Sequence, residues 1–349
     1  MGVRVTPLTP RGDARGNSFS IDVPFASIGD CHVATIRPGA VRGNHFHEQR
    51  REILVVLYTA PWTLLWDEGE GTPVQSQTFT GSGAVLMEAD PLCAHAVRND
   101  GSAELQIFSL GDKHFTDTHP RRLAEPQTRL AGVDGCGPDR WIAMVKDGDV
   151  ITPRVCTGDD ELLALFRECV VVAIDIPIGL TDSGPRCCDH HARRSLRHRG
   201  ASVFPAPVRA VLNAHDYVDA NKISRLVQKK GMSQQAWAIV AKIRQVDALL
   251  QRHPELRARV YEVHPEVTFA HWNGEPLPVS KHKPEGRAAR RRLVEDHFKE
   301  FQRPRGVKED DALDAYAALW TAERIARGAH AVLGDAHSDS TGLPMRIVY

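Results

Sequence analysis

Residues 169–180 read Cys-Val-Val-Val-Ala-Ile-Asp-Ile-Pro-Ile-Gly-Leu, and this stretch decides the fold of the C-terminal half of the chain. An apolar run of this length, rich in β-branched residues, is typical of a strand buried on both faces of a parallel or mixed sheet. Its one charged side chain is Asp175, and a lone buried carboxylate costs several kcal/mol unless something compensates. Because Pro177 cannot donate a hydrogen bond to a neighbouring strand, we expect the strand to end near Asp175 and to expose it at the sheet edge.

Two other segments also carry a carboxylate at one end. Residues 130–136 predict a second buried strand, which ends in Asp134. Residues 308–326 predict a helix whose first turns carry Asp311 and Asp314, and this spacing puts both on one helical face. Clustered carboxylates repel one another unless a cation holds them, and hard oxygen ligands suit Mg²⁺ or Mn²⁺.

We therefore predict a two-metal phosphodiester site at the place where these elements meet. The predicted metal ligands are Asp134, Asp175 and Asp314, and the predicted catalytic residues are these three together with Asp311. Simpler explanations remain open. A strand-end aspartate can cap the following turn, and the helix macrodipole favours acids at a helix N-terminus. The macrodipole accounts for Asp310 and Asp311 better than for Asp314, which lies one turn further in.

Five short motifs in this half carry a family resemblance. They are Gly132-Val133-Asp134-Gly135-Cys136, Ala173-Ile174-Asp175-Ile176-Pro177, Val203-Phe204-Pro205-Ala206-Pro207, Glu262-Val263-His264-Pro265-Glu266 and Asp311-Ala312-Leu313-Asp314-Ala315. Together, over residues 130–349, they resemble an uncharacterised family that is predicted to consist of RNase H-like nucleases. The last motif also resembles the C-terminal acidic helix of Holliday-junction resolvases, which share that fold. The resemblance implies an α/β RNase H-like nuclease domain at residues 129–349.

The predicted elements follow the order of that fold: three meandering strands, then strands that alternate with helices. The predicted strands are residues 130–136, 141–146, 150–156, 169–176 and 260–263. The predicted helices are residues 159–167, 189–199, 216–229, 234–253, 285–301 and 308–326. Ser233 is placed to cap the helix that follows it.

Two further acids, Glu262 and Glu266, bracket the dipeptide His264-Pro265. They could supply additional metal ligands or a general base. They could equally be strand-edge acids that pair with Arg257 or Arg259.

Basic residues flank the predicted carboxylate cluster in the sequence. They are Arg186, Arg193, Arg194, Arg197, Arg199 and Arg209 on one side, and Arg287, Arg290, Arg291 and Arg292 on the other. Basic side chains along a groove neutralise phosphates, so we expect nucleic acid as the partner, although a single basic run is usually a solvated helix face. For Lys281 and Lys283, phosphate contact and plain solvation both remain open.

The first 122 residues show short β-rich runs separated by Gly, Pro and Asp, with no long helical period. These runs are residues 31–37, 53–59, 63–66, 84–88 and 105–110. The pattern is typical of an all-β sandwich or barrel.

A set of four side chains predicts a metal site in this half: His45, His47, Glu52 and His95. Residues i and i+2 of a strand face the same side, so His45 and His47 point together. Three imidazoles and a carboxylate suit a divalent transition metal, namely Zn²⁺, Fe²⁺, Mn²⁺ or Ni²⁺. The alternative is that these histidines are the polar lining of a barrel that binds no metal.

The spacing Gly39-x5-His45-x-His47-x4-Glu52, with His95-x3-Asn99, resembles the two cupin motifs. Residues 42–47 and 117–120 look most like the cupin domain of polysaccharide-biosynthesis epimerases, and the resemblance covers residues 30–122. It implies a cupin-like barrel at residues 1–122. Because barrels of this kind serve many functions, we assign no activity to the domain. We expect it to bind a metal ion and a small-molecule ligand. A homodimer formed through this domain is also possible.

Composition places the chain among ordinary globular proteins. At 349 residues, with 42% hydrophobic and 25% charged residues, two domains are expected. The formal net charge is zero, but residues 1–127 carry −4 and the remainder +4, which mildly favours a nucleic-acid-binding C-terminal half. The 7 cysteines follow no disulfide-framework spacing, residues 1–16 lack the apolar core of a signal peptide, and no apolar run could span a membrane. A cytoplasmic protein without a membrane partner is therefore expected.

The sequence thus predicts a metal-dependent nuclease or phosphodiesterase fused to a metal-binding cupin domain. Two rival functions remain. One is a cupin-type carbohydrate isomerase or epimerase with a non-catalytic second domain. The other is a non-enzymatic nucleic-acid-binding protein in which the acids only stabilise the fold. The sequence does not separate DNA, RNA and nucleotide substrates.

Overall fold

The structure, a computed structural model, describes residues 2–13, 16–23, 26, 28–101, 103–114, 118–124 and 129–349. It divides into two compact units, Met1–Gln127 and Thr128–Tyr349, which we call the N-terminal and C-terminal domains. Residues 115–117 and 125–128, which include residue 117 of the epimerase-like segment, lie outside the described residues.

The N-terminal domain is built from short antiparallel strands, as the spacing of its apolar runs predicts. They are β1 Val3–Pro7, β2 Arg11–Asp13, β3 Gly16–Ser18, β4 Asp30–Ile36, β5 Val41–Phe46, β6 Glu52–Tyr58, β7 Trp62–Trp66, β8 Gln75–Phe79, β9 Gly83–Ala89, β10 His95–Asn99, β11 Leu105–Gly111 and β12 His119–Pro120. In the described part of this domain, two five-stranded sheets have the orders β1-β9-β6-β11-β4 and β12-β5-β10-β7-β8.

Apolar side chains from both sheets fill the space between them. Val56, Val85 and Ile107 come from one sheet, and Trp62 and Val97 come from the other. The two sheets therefore share one apolar core, as in a two-sheet barrel. The predicted all-β cupin-like barrel is confirmed.

The C-terminal domain combines one main sheet with helices. Its strands are β13 Leu130–Gly135, β14 Arg140–Asp147, β15 Val150–Thr157, β16 Val171–Ile174, β17 Val260–Glu262, β18 Val332–Ser338 and β19 Pro344–Val348. Its helices are α1 Gly158–Glu168, α2 Cys187–Ser195, α3 Tyr217–Gln228, α4 Gln234–Ala238, α5 Val240–Arg252, α6 Pro265–Asn273, α7 Pro284–Phe298 and α8 Glu309–Ala326.

The main sheet has the strand order β15-β14-β13-β16-β17. The first three strands form an antiparallel meander, whereas β13 pairs in parallel with β16, and β16 in parallel with β17. Separate apolar clusters, which include Leu249 on α5 and Leu319 on α8, cover the two faces of the sheet. This arrangement confirms the predicted α/β domain, in which three meandering strands are followed by strands that alternate with helices.

Helix α8 lies unusually close to β13, and Gly132 makes this approach possible. A Cβ atom at Gly132 would lie 2.0 Å from the backbone nitrogen of Leu319 and 2.2 Å from the carbonyl oxygen of Ala315. The glycine therefore brings the helix backbone into direct contact with the strand. The first motif of the sequence thus fixes the height of α8 above the strand that carries Asp134.

Several predicted boundaries were wrong. The central strand, β16, is shorter than residues 169–176, because Ile176 turns back to donate to the carbonyl oxygen of Ile174 at 3.0 Å. The predicted helix 234–253 is broken at Ile239 into α4 and α5. Ser233 does cap α4, since its hydroxyl accepts a hydrogen bond from the Ala236 amide at 3.1 Å.

Other elements were not predicted at all. Helix α6 escaped prediction although Pro265 at its start and left-handed Gly274 at its end are typical helix boundaries. The hairpin β18–β19 near the C-terminus was also missed. No helix in the described ranges is both long enough and apolar enough to cross a membrane.

Candidate functional site

The four predicted aspartates of the C-terminal domain come from three adjacent elements. Asp134 is the penultimate residue of β13, and Asp175 follows β16 directly. The two strands are parallel neighbours in which Val133 is opposite Ile174, so both carboxylates stand at the same edge of the sheet. Asp311 and Asp314 lie in the first turns of α8.

The carboxyl groups of these side chains act on one another electrostatically. Burial and the charges of Asp175 and Asp314 raise the pKa of Asp134 well above its ordinary range. Burial and the charge of Asp314 raise the pKa of Asp175 to about 8. Burial and its neighbour Asp310 raise the pKa of Asp311 to about 6. These aspartates cannot all ionise near neutral pH unless positive charge is supplied.

One positive charge is already supplied by Lys281. Its ammonium group donates a hydrogen bond to Asp314 Oδ2. The charge of Asp314, with smaller contributions from Asp134 and Asp175, raises the pKa of Lys281. The other carboxyl oxygen of Asp314, Oδ1, is buried and has no hydrogen-bond partner among the described residues. The sequence had left the role of Lys281 open, and the structure makes it the counter-ion of this cluster.

Two of the four aspartates, Asp134 and Asp175, line a cavity of about 360 Å³ within the C-terminal domain. Asp134, Asp175 and Lys281 line it on one side. Arg199, His264 and other side chains complete the wall. A solvent-accessible cavity bordered by carboxylates and cations is the usual form of a site for a charged ligand.

The two glutamates of the fifth motif are held in buried ion pairs. Glu262 accepts two hydrogen bonds of 2.7 Å from the guanidinium of Arg186, and Glu266 accepts two of 2.7 and 2.8 Å from that of Arg290. The sequence had left open a pairing with Arg257 or Arg259, and the observed partners are different ones. Because each glutamate is engaged on both oxygens, we assign both to positioning the strand end and α6.

The predicted basic flanks are only partly available to a ligand. Arg186 and Arg290 are buried in the ion pairs just described, and Arg209 pairs with Asp247 and with Asp339. Exposed arginines remain on both sides, for example Arg194, Arg197 and Arg292. Long-range ion pairs thus hold several of these arginines inside the domain, and the expected nucleic-acid partner stays a prediction that depends on the others.

The four predicted ligands of the N-terminal domain meet between its two sheets. Potential ligand atoms of His45, Glu52 and His95 all lie within 4.8 Å of one another. His47 Nε2 lies 3.5 Å from Glu52 Oε2, and the ring centres of His45 and His47 are 5.1 Å apart. Among the described residues, His45, Glu52 and His95 are the one group of three or more His, Cys, Asp and Glu side chains whose potential ligand atoms lie so close together.

The protonation states in this cluster suit metal coordination. Burial and the nearby His95 lower the pKa of His45 to about 4, so its imidazole is neutral. Burial opposes ionisation of Glu52, but hydrogen bonds with His47 and His95 outweigh it and lower the pKa of Glu52 well below its ordinary range. Ser109 also donates a hydrogen bond of 2.5 Å to Glu52 Oε1, which orients the carboxylate.

Comparisons with known proteins agree with this division of the chain. Residues 132–338 match the family model described as "Protein of unknown function (DUF429)". Residues 11–122 match the model described as "Polysaccharide biosynthesis C-terminal domain". No curated protein matches the chain significantly.

Several solved structures resemble about a third of the chain. The sugar 3,4-ketoisomerase QdtA from Thermoanaerobacterium thermosaccharolyticum, solved with TDP, is 16% identical and aligns 34% of this chain with 86% of its own, at a TM-score of 0.28. A dTDP sugar isomerase from Desulfovibrio desulfuricans is 15% identical. Its alignment covers 35% of this chain and 85% of the isomerase, at a TM-score of 0.30. The rmlC epimerase of Mycobacterium tuberculosis is 14% identical. Its alignment covers 34% of this chain and 68% of the epimerase, at a TM-score of 0.30.

Proposed function

The chain belongs to the family described as "Protein of unknown function (DUF429)", and from the carboxylate site in the matched region we propose that the C-terminal domain is a divalent-metal-dependent nuclease or phosphodiesterase. The observation that carries this proposal is that Asp134 and Asp175, at the ends of neighbouring strands, line one cavity, and that the charge of Asp314 on α8 acts on both of them. Acids that only stabilised the fold would be expected to be paired one by one, as Glu262 and Glu266 are.

The residues present fit a hard divalent cation. The donors are carboxylate oxygens, which Mg²⁺ and Mn²⁺ prefer. Asp314 Oδ1 is buried without a hydrogen bond among the described residues, and such an atom needs a partner. The single ammonium of Lys281 does not neutralise Asp134, Asp175 and Asp314 together.

In this proposal Asp134, Asp175 and Asp314 hold one or two Mg²⁺ or Mn²⁺ ions, and Asp311 lies beside them as a further acidic group. When bound, such ions activate a water molecule and balance the charge of the transferring phosphoryl group. Lys281 donates a hydrogen bond to Asp314, where it competes with a cation for that carboxylate. Arg199, on the cavity wall, is placed to attract a phosphate group.

A cleavage assay on the full chain tests the proposal. Single-stranded, duplex and branched DNA and RNA are incubated with wild type, Asp175→Asn and Asp149→Asn in Mg²⁺ and in Mn²⁺. Asn keeps the volume of Asp175 but removes the charge that binds a cation, so a loss of at least about 100-fold is expected. Asp149 is an exposed residue of the β14–β15 turn, and its variant should match wild type. Equal behaviour of wild type and Asp175→Asn on every substrate would leave the binding-protein alternative.

For the N-terminal domain we propose a transition-metal site formed by His45, His47, Glu52 and His95, which would hold Zn²⁺, Fe²⁺, Mn²⁺ or Ni²⁺. The tight grouping of three of these side chains supports it. The metal content of the purified full chain should fall by about one equivalent in His47→Ala and in His95→Ala, and should be unchanged in the exposed control His215→Ala. Unchanged content in both site variants would make the cupin motif a scaffold only.

The carbohydrate alternative makes a different prediction. If the barrel is a cupin-type isomerase or epimerase, the full chain should turn over a nucleotide-linked keto sugar, and His95→Ala should abolish this turnover while Asp175→Asn should not. Such a result together with no cleavage of nucleic acid would replace the nuclease proposal.

A further inference from the structure

An exposed aromatic ring lines the same cavity as Asp134 and Asp175. Phe204 lines this cavity and is 47% exposed. Of the Phe, Trp and Tyr side chains described in the C-terminal domain, it is the one that is exposed, and the others are buried or half-buried. Because this ring lines a cavity together with charged groups, its free face is available to a ligand.

The loop that presents Phe204 is fixed on both sides of the ring. Arg193 donates a hydrogen bond of 2.7 Å to the carbonyl oxygen of Val203. The Ala206 amide donates one of 2.9 Å to the carboxylate of Asp189, which is itself buried against Arg186. Prolines 205 and 207 restrict the backbone further. The ring is therefore held in the cavity wall by its backbone, rather than exposed by a loose loop.

The same cavity offers groups for a phosphate. Arg199 lines it, with a side chain 21% exposed and 3.7 Å from Glu266. Its Nε atom is buried and has no hydrogen-bond partner among the described residues. Lys281, Asp134 and Asp175 lie on the wall as well. The cavity thus combines an aromatic face, an arginine and two of the proposed metal ligands.

The size of the cavity limits what enters it. Its volume of about 360 Å³ is at the lower end of the roughly 300–1,000 Å³ typical of pockets for small molecules. One nucleotide unit suits such a space. In a duplex both faces of each base are covered by stacking, so Phe204 could contact only a base that has left the stack.

We infer that the site takes one unpaired nucleotide of a single-stranded nucleic acid, with its base stacked on Phe204 and its phosphate directed to Arg199 and to the proposed metal ions. This inference rests on the proposed function, since it names the substrate class of the same site. Stacking between a base and an aromatic side chain tolerates any base, so the preference is for single strands and not for a sequence.

Cleavage by the full chain is compared on three probes of equal length: a single-stranded oligonucleotide, its duplex, and a strand of abasic residues that keeps the phosphates. Wild type should prefer the single strand over both others by roughly 5- to 100-fold, the range expected for one stacked base. Phe204→Leu should lose most of the preference over the abasic strand. Phe108→Leu, the same change at an exposed site in the N-terminal domain, should retain it.

Binding of the same probes, measured by fluorescence anisotropy in Ca²⁺, separates the two ideas. If wild type cleaves nothing but binds the base-bearing strand more tightly than the abasic strand, and Phe204→Leu does not, the nuclease proposal fails and the stacking site stands. If wild type treats all three probes alike, or Phe204→Leu keeps the wild-type preference, the stacking site is refuted even when cleavage occurs.

Discussion

Replacing Asp175 by Asn should stabilise the metal-free protein, although it removes a proposed catalytic group. In the metal-free fold the ionised Asp175 is repelled by Asp314 and is poorly solvated, which raises its pKa to about 8. The ordinary value in an unfolded chain is near 3.9. Asn occupies the same volume without a charge to repel.

The sign and size follow from the difference between the two pKa values. A carboxyl group whose pKa is raised in the folded state stabilises the fold fully below pH 4, and this contribution is lost as the pH rises through about 8. The lost contribution at pH 9 is on the order of 5 kcal/mol for a shift of about four units at about 1.4 kcal/mol each. Side-chain relaxation lowers this figure, so we expect the variant to gain about 2 kcal/mol or more at pH 9 and almost nothing at pH 4.

Calorimetry in EDTA checks this prediction on the full chain. A gain of about 2 kcal/mol should raise the melting temperature of the C-terminal domain by about 4–8 °C at pH 9, as expected for a domain of roughly 200 residues. The control Asp149→Asn should show no pH-dependent gain, since that side chain is exposed. Added Mn²⁺ should raise the transition of wild type and leave that of Asp175→Asn nearly unchanged. A variant no more stable than wild type at pH 9 would contradict the inferred repulsion.

Three further changes test the contacts around the site. Lys281→Met removes the resident counter-ion of Asp314, so Mn²⁺ should bind about tenfold or more tightly by calorimetric titration; weaker binding would mean that the lysine supports the metal. Glu262→Gln breaks a buried pair with Arg186 and should cost about 3–5 kcal/mol by thermal unfolding, with Mn²⁺ affinity unchanged, whereas a loss of affinity alone would make Glu262 a ligand. Gly132→Ala should cost about 3 kcal/mol or more, because its Cβ meets the α8 backbone; a neutral change would disprove the close approach.

The positions of the aspartates could be predicted because each depends on local sequence. Pro177 ends the pairing of the central strand just after Asp175, and the apolar run before Asp134 defines its strand. The helical spacing of Asp311 and Asp314 then places both on α8. In the N-terminal domain the i, i+2 spacing likewise predicted that His45 and His47 lie close together, and their ring centres are 5.1 Å apart.

The partners of the charged residues could not be predicted from the sequence. Lys281 is 33 residues from Asp314, and Arg186 is 76 from Glu262. Such pairs depend on how the helices pack, and no local pattern distinguishes a buried arginine from one on a solvated helix face. The break at Ile239 has no sequence signal that we can identify.

The most direct measurement is anomalous scattering from crystals of the full chain soaked in Mn²⁺. A manganese peak should lie between the carboxylates of Asp134, Asp175 and Asp314, and crystals of Asp175→Asn should show it greatly weakened. Full density for Lys281 on Asp314, with no manganese at these carboxylates at saturating concentration, would contradict the proposal that they form a metal-dependent phosphodiester site.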